Sequence, residues 1–358
     1  MNITINSQTL AAELRAVNKV SPSNPAIAIL GCVLIRAEGA LATFYGTDGD
    51  VGLLTGCQAT VASPGAIAVP LPRLLAMVER FADGDVTMAL VKAGTLKVSC
   101  GRFASNLQIL ASDDFPHVPE VEGEAIELTG EALVGLAARV RYVVNPSSAK
   151  HVMRGVLFTA KAGTVVAVAT DSKRLALAGV TTTDMRDLST ILPMKALDVA
   201  CDHAHGEHVT LTVGPRNLFF ACGARLVVSR ALEGQFPNYD RVIPRENTAV
   251  VTFNRVDVRM AMERVTQLTE DNKVVKVEVS EGSMLMTSAA SGIGAAAEQV
   301  PVDYEGPNVS FSMNGGFVTD FLEAAEQPTV VLRIKDGITG LLFEDGPSHL
   351  GVIMPVRA

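Results

Sequence analysis

The stretch ATDSKRLALAG, residues 169–179, sets Asp171, Ser172, Lys173 and Arg174 side by side between two apolar runs. Such residues could carry acyl transfer, with Ser172 as nucleophile and Lys173 as its base. Adjacent residues of a strand point to opposite faces, however, so these two are not expected to share a proton. Ser147 and Lys150, in NPSSAK, have the S-x-x-K spacing, yet the sequence lacks the S-D-N and K-T-G elements that complete that machinery. The run CDHAHGEH, residues 201–208, gathers Cys201, His203, His205 and His208. It falls where a helix should give way to a strand, Gly206 suits the turn, and histidine is favoured near a helix C-terminus. Zinc usually needs two separated ligand pairs, so a solvated turn without a metal is expected. SGIGAA, 291–296, has the look of a dinucleotide fingerprint without a compact βαβ unit or a downstream acidic partner, which leaves strand-edge glycines as the expectation. No catalytic residue, metal or cofactor is expected.

The elements that must position these residues are bounded by composition. The chain has 358 residues, 48% apolar and 19% charged, enough to bury several cores. Trp is absent and aromatics make up 5%, so those cores must be aliphatic. No apolar run is long enough to span a bilayer, and MNITINSQTL lacks the basic start and apolar stretch of a signal peptide. Cys32, Cys57, Cys100, Cys201 and Cys222 are odd in number and widely spread, as expected of reduced, mostly buried thiols in a cytoplasmic protein. A net charge of −8 argues against gripping nucleic acid through an overall basic body, though not against one locally basic surface.

Self-similarity organises the chain. GTD at 46–48 is echoed by ATD at 169–171, and DDFPHVP at 113–119 by GQFPNYD at 234–240, each at a spacing of about 120 residues, the size of a domain. Three units follow, with expected boundaries 1–123, 124–245 and 246–358. Each opens with a strand and a helix: ITIN then SQTLAAELRAVNKV, AIELTG then EALVGLAARVRYVV, AVVTF then NRVDVRMAMERVTQL. In the second of these helices Leu133, Leu136, Val140 and Val143 recur at helical spacing. β-rich runs, a second helix (PRLLAMVERFADG, MKALDVACDHAHG, GGFVTDFLEAAEQ) and alternating strands complete each unit. The order predicts an α+β fold: three repeated domains, each with two helices and antiparallel sheets. The first helices carry Arg15 and Lys19, Arg139 and Arg141, Arg255 and Arg259, and the second helices add Arg73, Arg80 and Lys195, with acidic residues interspersed.

At ATDSKRLA, LEGQFPNYDRVIP and VIMPVR the sequence resembles the bacterial sliding clamp family, the beta subunits of the DNA polymerase III holoenzyme. The likeness covers the whole chain, including the threefold repeat. It implies a non-enzymatic processivity factor: a head-to-tail homodimer, each chain half of a ring that encircles duplex DNA irrespective of sequence. It also implies a groove that takes short linear motifs of the polymerase III alpha subunit, the clamp loader and other replication and repair proteins, with no membrane partner and a cytoplasmic, nucleoid-associated location. By motif match that groove would use Met153, Thr170, Ser172, Lys173, Arg174, Leu175, Pro237, Arg241, Val242, Val352, Met354, Pro355, Val356 and Arg357. Leu175, Val242, Val352 and Met354 would offer an apolar slot, and Arg174 and Arg241 would hydrogen-bond the peptide. DNA would be faced by Arg15, Lys19, Arg73, Arg80, Arg139, Arg141, Lys150, Lys195, Arg255 and Arg259. Leu107 and Leu268 match positions of the family's dimer junction, flanked here by the more polar Ser105 and Gln267. Lys173, Ala358 and Asn24 depart from the residues usual at their positions. The rival readings are a Ser-Lys hydrolase and a monomeric peptide-binding scaffold.

Overall fold

The computed structural model describes residues 1–92, 94–269, 273–288 and 294–356. Two helices fall in each sequence repeat: α1 (Ser7–Asn18) and α2 (Leu71–Val78), α3 (Gly130–Val140) and α4 (Met194–Ala204), α5 (Arg255–Thr266) and α6 (Gly315–Ala324). Short polar residues cap α1, α3, α5 and α6 where the preceding strand ends. Asn6 accepts from the Gln8 and Thr9 amides, Asn254 from Val256 and Asp257, Asn314 from Phe317, and Thr129 takes the Ala132 amide. The apolar spacing then turns one face inward: Leu10, Leu14 and Val17 of α1, and Val258, Met262 and Val265 of α5, are buried. Of the series in the middle repeat, Leu133, Leu136 and Val140 are buried on α3, while Val143 is buried in the 3-10 turn Arg141–Val143 that follows.

All the strand pairings among the described residues are antiparallel, and two of them cross the repeat boundaries. The last strand of the middle repeat, Arg225–Arg230, pairs with Val51–Gln58 of the first, Val228 opposite Gly52. In the same way the last strand of the third repeat, His349–Ile353, pairs with Arg174–Thr181 of the middle one, Leu175 opposite Val352. Each joint fuses two four-stranded halves into an eight-stranded sheet. The compact units of the chain therefore do not coincide with the sequence repeats: one comprises Met1–Leu133 and Lys195–Ala231, the other Val134–Met194 and Leu232–Ala358. The first unit holds a core of Ile3, Leu10, Leu14, Val33, Phe44, Leu71 and Val98. The second is centred on Val251, Met262, Val277, Phe321, Leu332 and Phe343. Both are aliphatic cores with occasional Phe and Met, as the composition requires. Two smaller sheets remain: Thr60–Ser63, Asn2–Asn6, Asp85–Lys92, Thr95–Cys100 and Phe103–Gln108 in that order, and Ala297–Pro301, Ser283–Ser288, Val274–Ser280 and Val309–Asn314 in that order.

Candidate functional site

The TD motif is a turn that the chain builds twice. Thr47 Oγ1 donates to the Val51 carbonyl, and Asp48 Oδ1 accepts from the Asp50 and Val51 amides. Thr170 Oγ1 likewise donates to the Arg174 carbonyl, and Asp171 Oδ1 accepts from Lys173 and Arg174. These are Asx turns, in which a short carboxylate organises the backbone two and three residues on. Gly49 occupies the left-handed region at φ +101°, and Ser172 takes the same place at φ +77°. Ser172 and Lys173 thus lie in a turn rather than in the strand the sequence suggests. The Ser172 hydroxyl donates to Met153 Sδ at 3.5 Å, so its partner is a thioether and not a base. Ser147 and Lys150 are both exposed beside a turn set by Asn145, with no hydrogen bond joining them.

Around the second turn, three segments of the second unit meet. The Met354 amide donates to the Lys173 carbonyl at 2.9 Å and the Val356 amide to the Ser312 carbonyl at 2.7 Å. Beneath them Leu175 and Val352 join Val168 and Leu342 in an apolar layer, covered by Phe236, Tyr239 and Ile243. Leu175 and Val352 are 3% and 1% exposed, and Met153 and Thr170 are buried as well. These four make a floor, a correction to the open slot that Leu175 and Val352 suggest in the sequence. The accessible apolar groups are Val242, Met354 and Val356, with Lys173 and Arg241 as exposed cations and Pro237 and Pro355 half-buried. Arg357 lies outside the described residues.

Sequence reasoning missed Ile338, 72% exposed at the tip of a loop whose Asp336 accepts from the Ile338 and Thr339 amides. The loop borders the same floor: a Cβ on Gly340 would lie 2.8 Å from Val352 and 3.4 Å from Met354 Sδ. A lone isoleucine in DGITG carries no periodic signal; only its exposure marks it. Arg174 also departs from expectation. Its guanidinium, 11% exposed, is held within the fold by Asp171, Asp320 and the Tyr142 carbonyl.

Half of the expected DNA-facing cations already hold a carboxylate. Arg15 pairs with Glu79, Lys19 with Asp202, Lys195 with Asp48, Arg139 with Glu326 and Arg259 with Glu263. Burial raises the Asp48 carboxyl's pKa, but hydrogen bonds from Lys195 and two backbone amides outweigh it and hold the group below its ordinary value. Arg255 is turned inward, donating to the Leu322 carbonyl in the last turn of α6; it satisfies a free helix-end carbonyl and complements the dipole there. Arg139 is likewise mostly buried. Arg73, Arg80, Arg141 and Lys150 are exposed. In the 201–208 run His203 faces Arg225, and burial and that cation push its pKa down to about 4. Cys201 Sγ points at the Leu133 carbonyl, and among the described residues no group of His, Cys, Asp and Glu side chains is arranged to hold a metal. SGIGAA falls partly outside the described residues; Ala296 there bonds to Ser288 through backbone and hydroxyl.

Nearly the whole chain matches models of the DNA polymerase III beta subunit: the N-terminal domain over 1–119, the central domain over 127–238 and the C-terminal domain over 240–357. It is 30% identical to the beta sliding clamp of Caulobacter vibrioides, with all of both chains covered. The chain belongs to the bacterial sliding clamp family. The clamp superimposes on the Pseudomonas aeruginosa DNA polymerase III subunit beta with a TM-score of 0.96 at 25% identity, and on the Caulobacter crescentus sliding clamp with 0.95 at 29%, each over the full length of both chains. It is thus built of three clamp domains and is a non-catalytic subunit of the replicative machinery.

In the clamp's first unit, Leu107 sits half-buried on the edge strand Phe103–Gln108. It lines a cleft of about 930 Å³ with Met77, Phe81, Cys100 and Phe103, where the two phenylalanine rings lie 5.2 Å apart. In the second unit Leu268 is half-buried just after α5. Among the described residues, no helix is long and apolar enough to cross a membrane.

Proposed function

We propose that two copies of the clamp join head to tail into a ring around duplex DNA, in the cytoplasm, with domains spanning 1–123, 124–245 and 246–358. The sheet pairing carries this reading. Two joints inside the chain fuse the closing strand of one repeat to the fourth strand of the repeat before it. Two half-sheets are left with open edges: Phe103–Gln108 closes the first repeat, and Ala297–Pro301 holds in the third repeat the place that Val51–Gln58 and Arg174–Thr181 hold in theirs. The same joint made a third time, between copies, pairs these two edges. It would cover the cleft at Leu107 with the surface around Leu268 and remove two exposed strand edges, which proteins otherwise have to protect. Such an interface is heterologous and repeats until the ring closes.

The exposed cations Arg73, Arg80, Arg141 and Lys150 then face the enclosed DNA, and the exposed apolar group of Val242, Met354 and Val356, with Ile338 added, takes short partly apolar peptides of the polymerase III alpha subunit, the clamp loader and other replication and repair proteins. The decisive experiment loads the protein onto nicked circular DNA. It should be retained until the circle is linearised and then slide off; equal loss from circle and line would overturn encirclement. Replacing Leu107 with Asp should abolish retention and halve the sedimenting mass.

A further inference from the structure

All three nitrogens of the Arg174 guanidinium are engaged inside the protein. Nε donates to Asp171 Oδ2 at 3.0 Å, Nη1 to Asp320, and Nη2 to the Tyr142 carbonyl at 2.7 Å. The plane of the group lies against the Phe317 ring, 4.2 Å from its centroid, with Tyr142 at 5.5 Å. A peptide could take any of these three engaged N–H groups only by displacing a carboxylate or the Tyr142 carbonyl from a mostly buried cation, which is strongly unfavourable. The side chain instead connects three segments: the 171–173 turn, the 3-10 turn after α3, and α6, which contributes Phe317 and Asp320.

That connection has a consequence for the tail. Residues 354–356 are strung between two carbonyls, Met354 on Lys173 and Val356 on Ser312. Lys173 belongs to the turn that Asp171 organises. Ser312 lies two residues before Asn314, the N-cap of α6. Arg174 bridges the two bodies that carry these anchors, one end on Asp171 and the other on Asp320. Its forked, always-charged head suits such a bridge, because it fixes distance and angle together.

We propose that Arg174 is a positioning residue of the peptide groove: it does not touch the peptide, and through Asp171 and Asp320 it sets the separation of the two anchors that hold the Met354–Val356 wall in place. The proposal rests on the groove reading above. It makes Asp320, which no motif marks, a determinant of peptide affinity.

The test uses the full chain and the tightest member of a fluorescein-labelled peptide set tiling the polymerase III alpha subunit. Asp320→Asn should weaken binding about tenfold, Arg174→Lys by a similar factor, and the double variant no further than either alone, since all break one linkage. Amide exchange at Met354 and Val356 should quicken in Asp320→Asn, while the Leu332 amide, in the core of the same unit, keeps its protection. An Arg174 that met the peptide directly would be freed by Asp320→Asn, so unchanged or tighter binding, or additive losses, would overturn the proposal. Val242→Asp separates the two failures. If it leaves binding intact, the groove assignment is wrong; if it abolishes binding while Asp320→Asn does not, only the role given to Arg174 falls.

Discussion

Asparagine in place of Asp171 should destabilise the protein far more than asparagine in place of Asp48, although the two aspartates organise the same turn. In both, one carboxylate oxygen accepts two backbone amides at 2.8–3.0 Å. Asparagine keeps an acceptor oxygen there, so the turn itself survives. The second oxygen makes the difference. In Asp48 it holds Lys195, whose side chain is 47% exposed, and exposed pairs contribute about 0.2–1 kcal/mol. In Asp171 it holds Arg174 Nε, and the two side chains are 15% and 11% exposed. Asparagine would aim an amide at a buried cation and leave one donor unpaired. Breaking a buried pair costs about 3–5 kcal/mol; because Asp320 and the Tyr142 carbonyl remain on the guanidinium, about 2–3 kcal/mol is the expected loss. Urea unfolding at neutral pH reads this as a midpoint lowered by about 1 M for Asp171→Asn and by less than about 0.5 M for Asp48→Asn. Equal losses, or a larger one for Asp48→Asn, would refute the assignment of Arg174 as a buried tie.

Alanine at Gly130, the first residue of α3, would bring its Cβ within 1.6 Å of the Ala204 carbonyl oxygen, a backbone clash expected to cost at least about 3 kcal/mol, whereas Gly135 in the same helix has nothing within 4 Å and its alanine variant should stabilise by about 0.5–1 kcal/mol in the same urea titration. His203 is held neutral in the fold, with its pKa near 4 against an ordinary 6.5; its stabilising share is present above pH 6.5 and is lost as pH falls towards 4, on the order of 1–2 kcal/mol, so His203→Gln should flatten stability between pH 6.5 and 4.5. Duplex-binding affinity should fall with salt at a log–log slope of about −3, set by Arg73, Arg80 and Lys150 because the paired cations keep their carboxylates. Lys150→Ala should reduce that slope by about 0.9 and Lys19→Ala should not; equal effects by anisotropy titration would show that the ion pairs open for DNA.

What the sequence made legible was local. The helices could be read because apolar residues such as Leu133, Leu136 and Val140 recur on one face. The TD repeat was visible, though not that it makes a turn in which Ser172 adopts a glycine-like conformation. Which way a charged helix residue points was not legible, since Arg255 and Arg259 look alike in the sequence while the first caps α6 and the second pairs along its own helix. Burial was misjudged where pairing is distant: Leu175 and Val352 are apolar residues nearly 180 positions apart that lie opposite each other in one sheet, and no local pattern reports that they become a floor. The crossing of strands between repeats escaped for the same reason.

The groove arises where the two internal joints stop being alike. Both close a repeat onto the strand that follows a TD turn. At the first, the chain leaves Arg225–Arg230 by one further rung of its own ladder, the Ala231 amide donating to the Arg216 carbonyl. At the second, the chain leaves His349–Ile353 and stays extended, anchored first on Lys173 and then on Ser312. The turns differ in step with this. Asp48 holds a lysine at the surface, while Asp171 holds an arginine that reaches on to α6, so only the second turn is coupled to the element beside the tail. A repeat supplies the scaffold through matching hydrogen bonds, and the binding surface appears at the residues that break the repetition: Ser172 for Gly49, Arg174 for Val51, and a tail anchored on Lys173 and Ser312. Restoring the repeat at one of these positions, by Arg174→Val, should therefore keep the strand joint while loosening the wall built upon it.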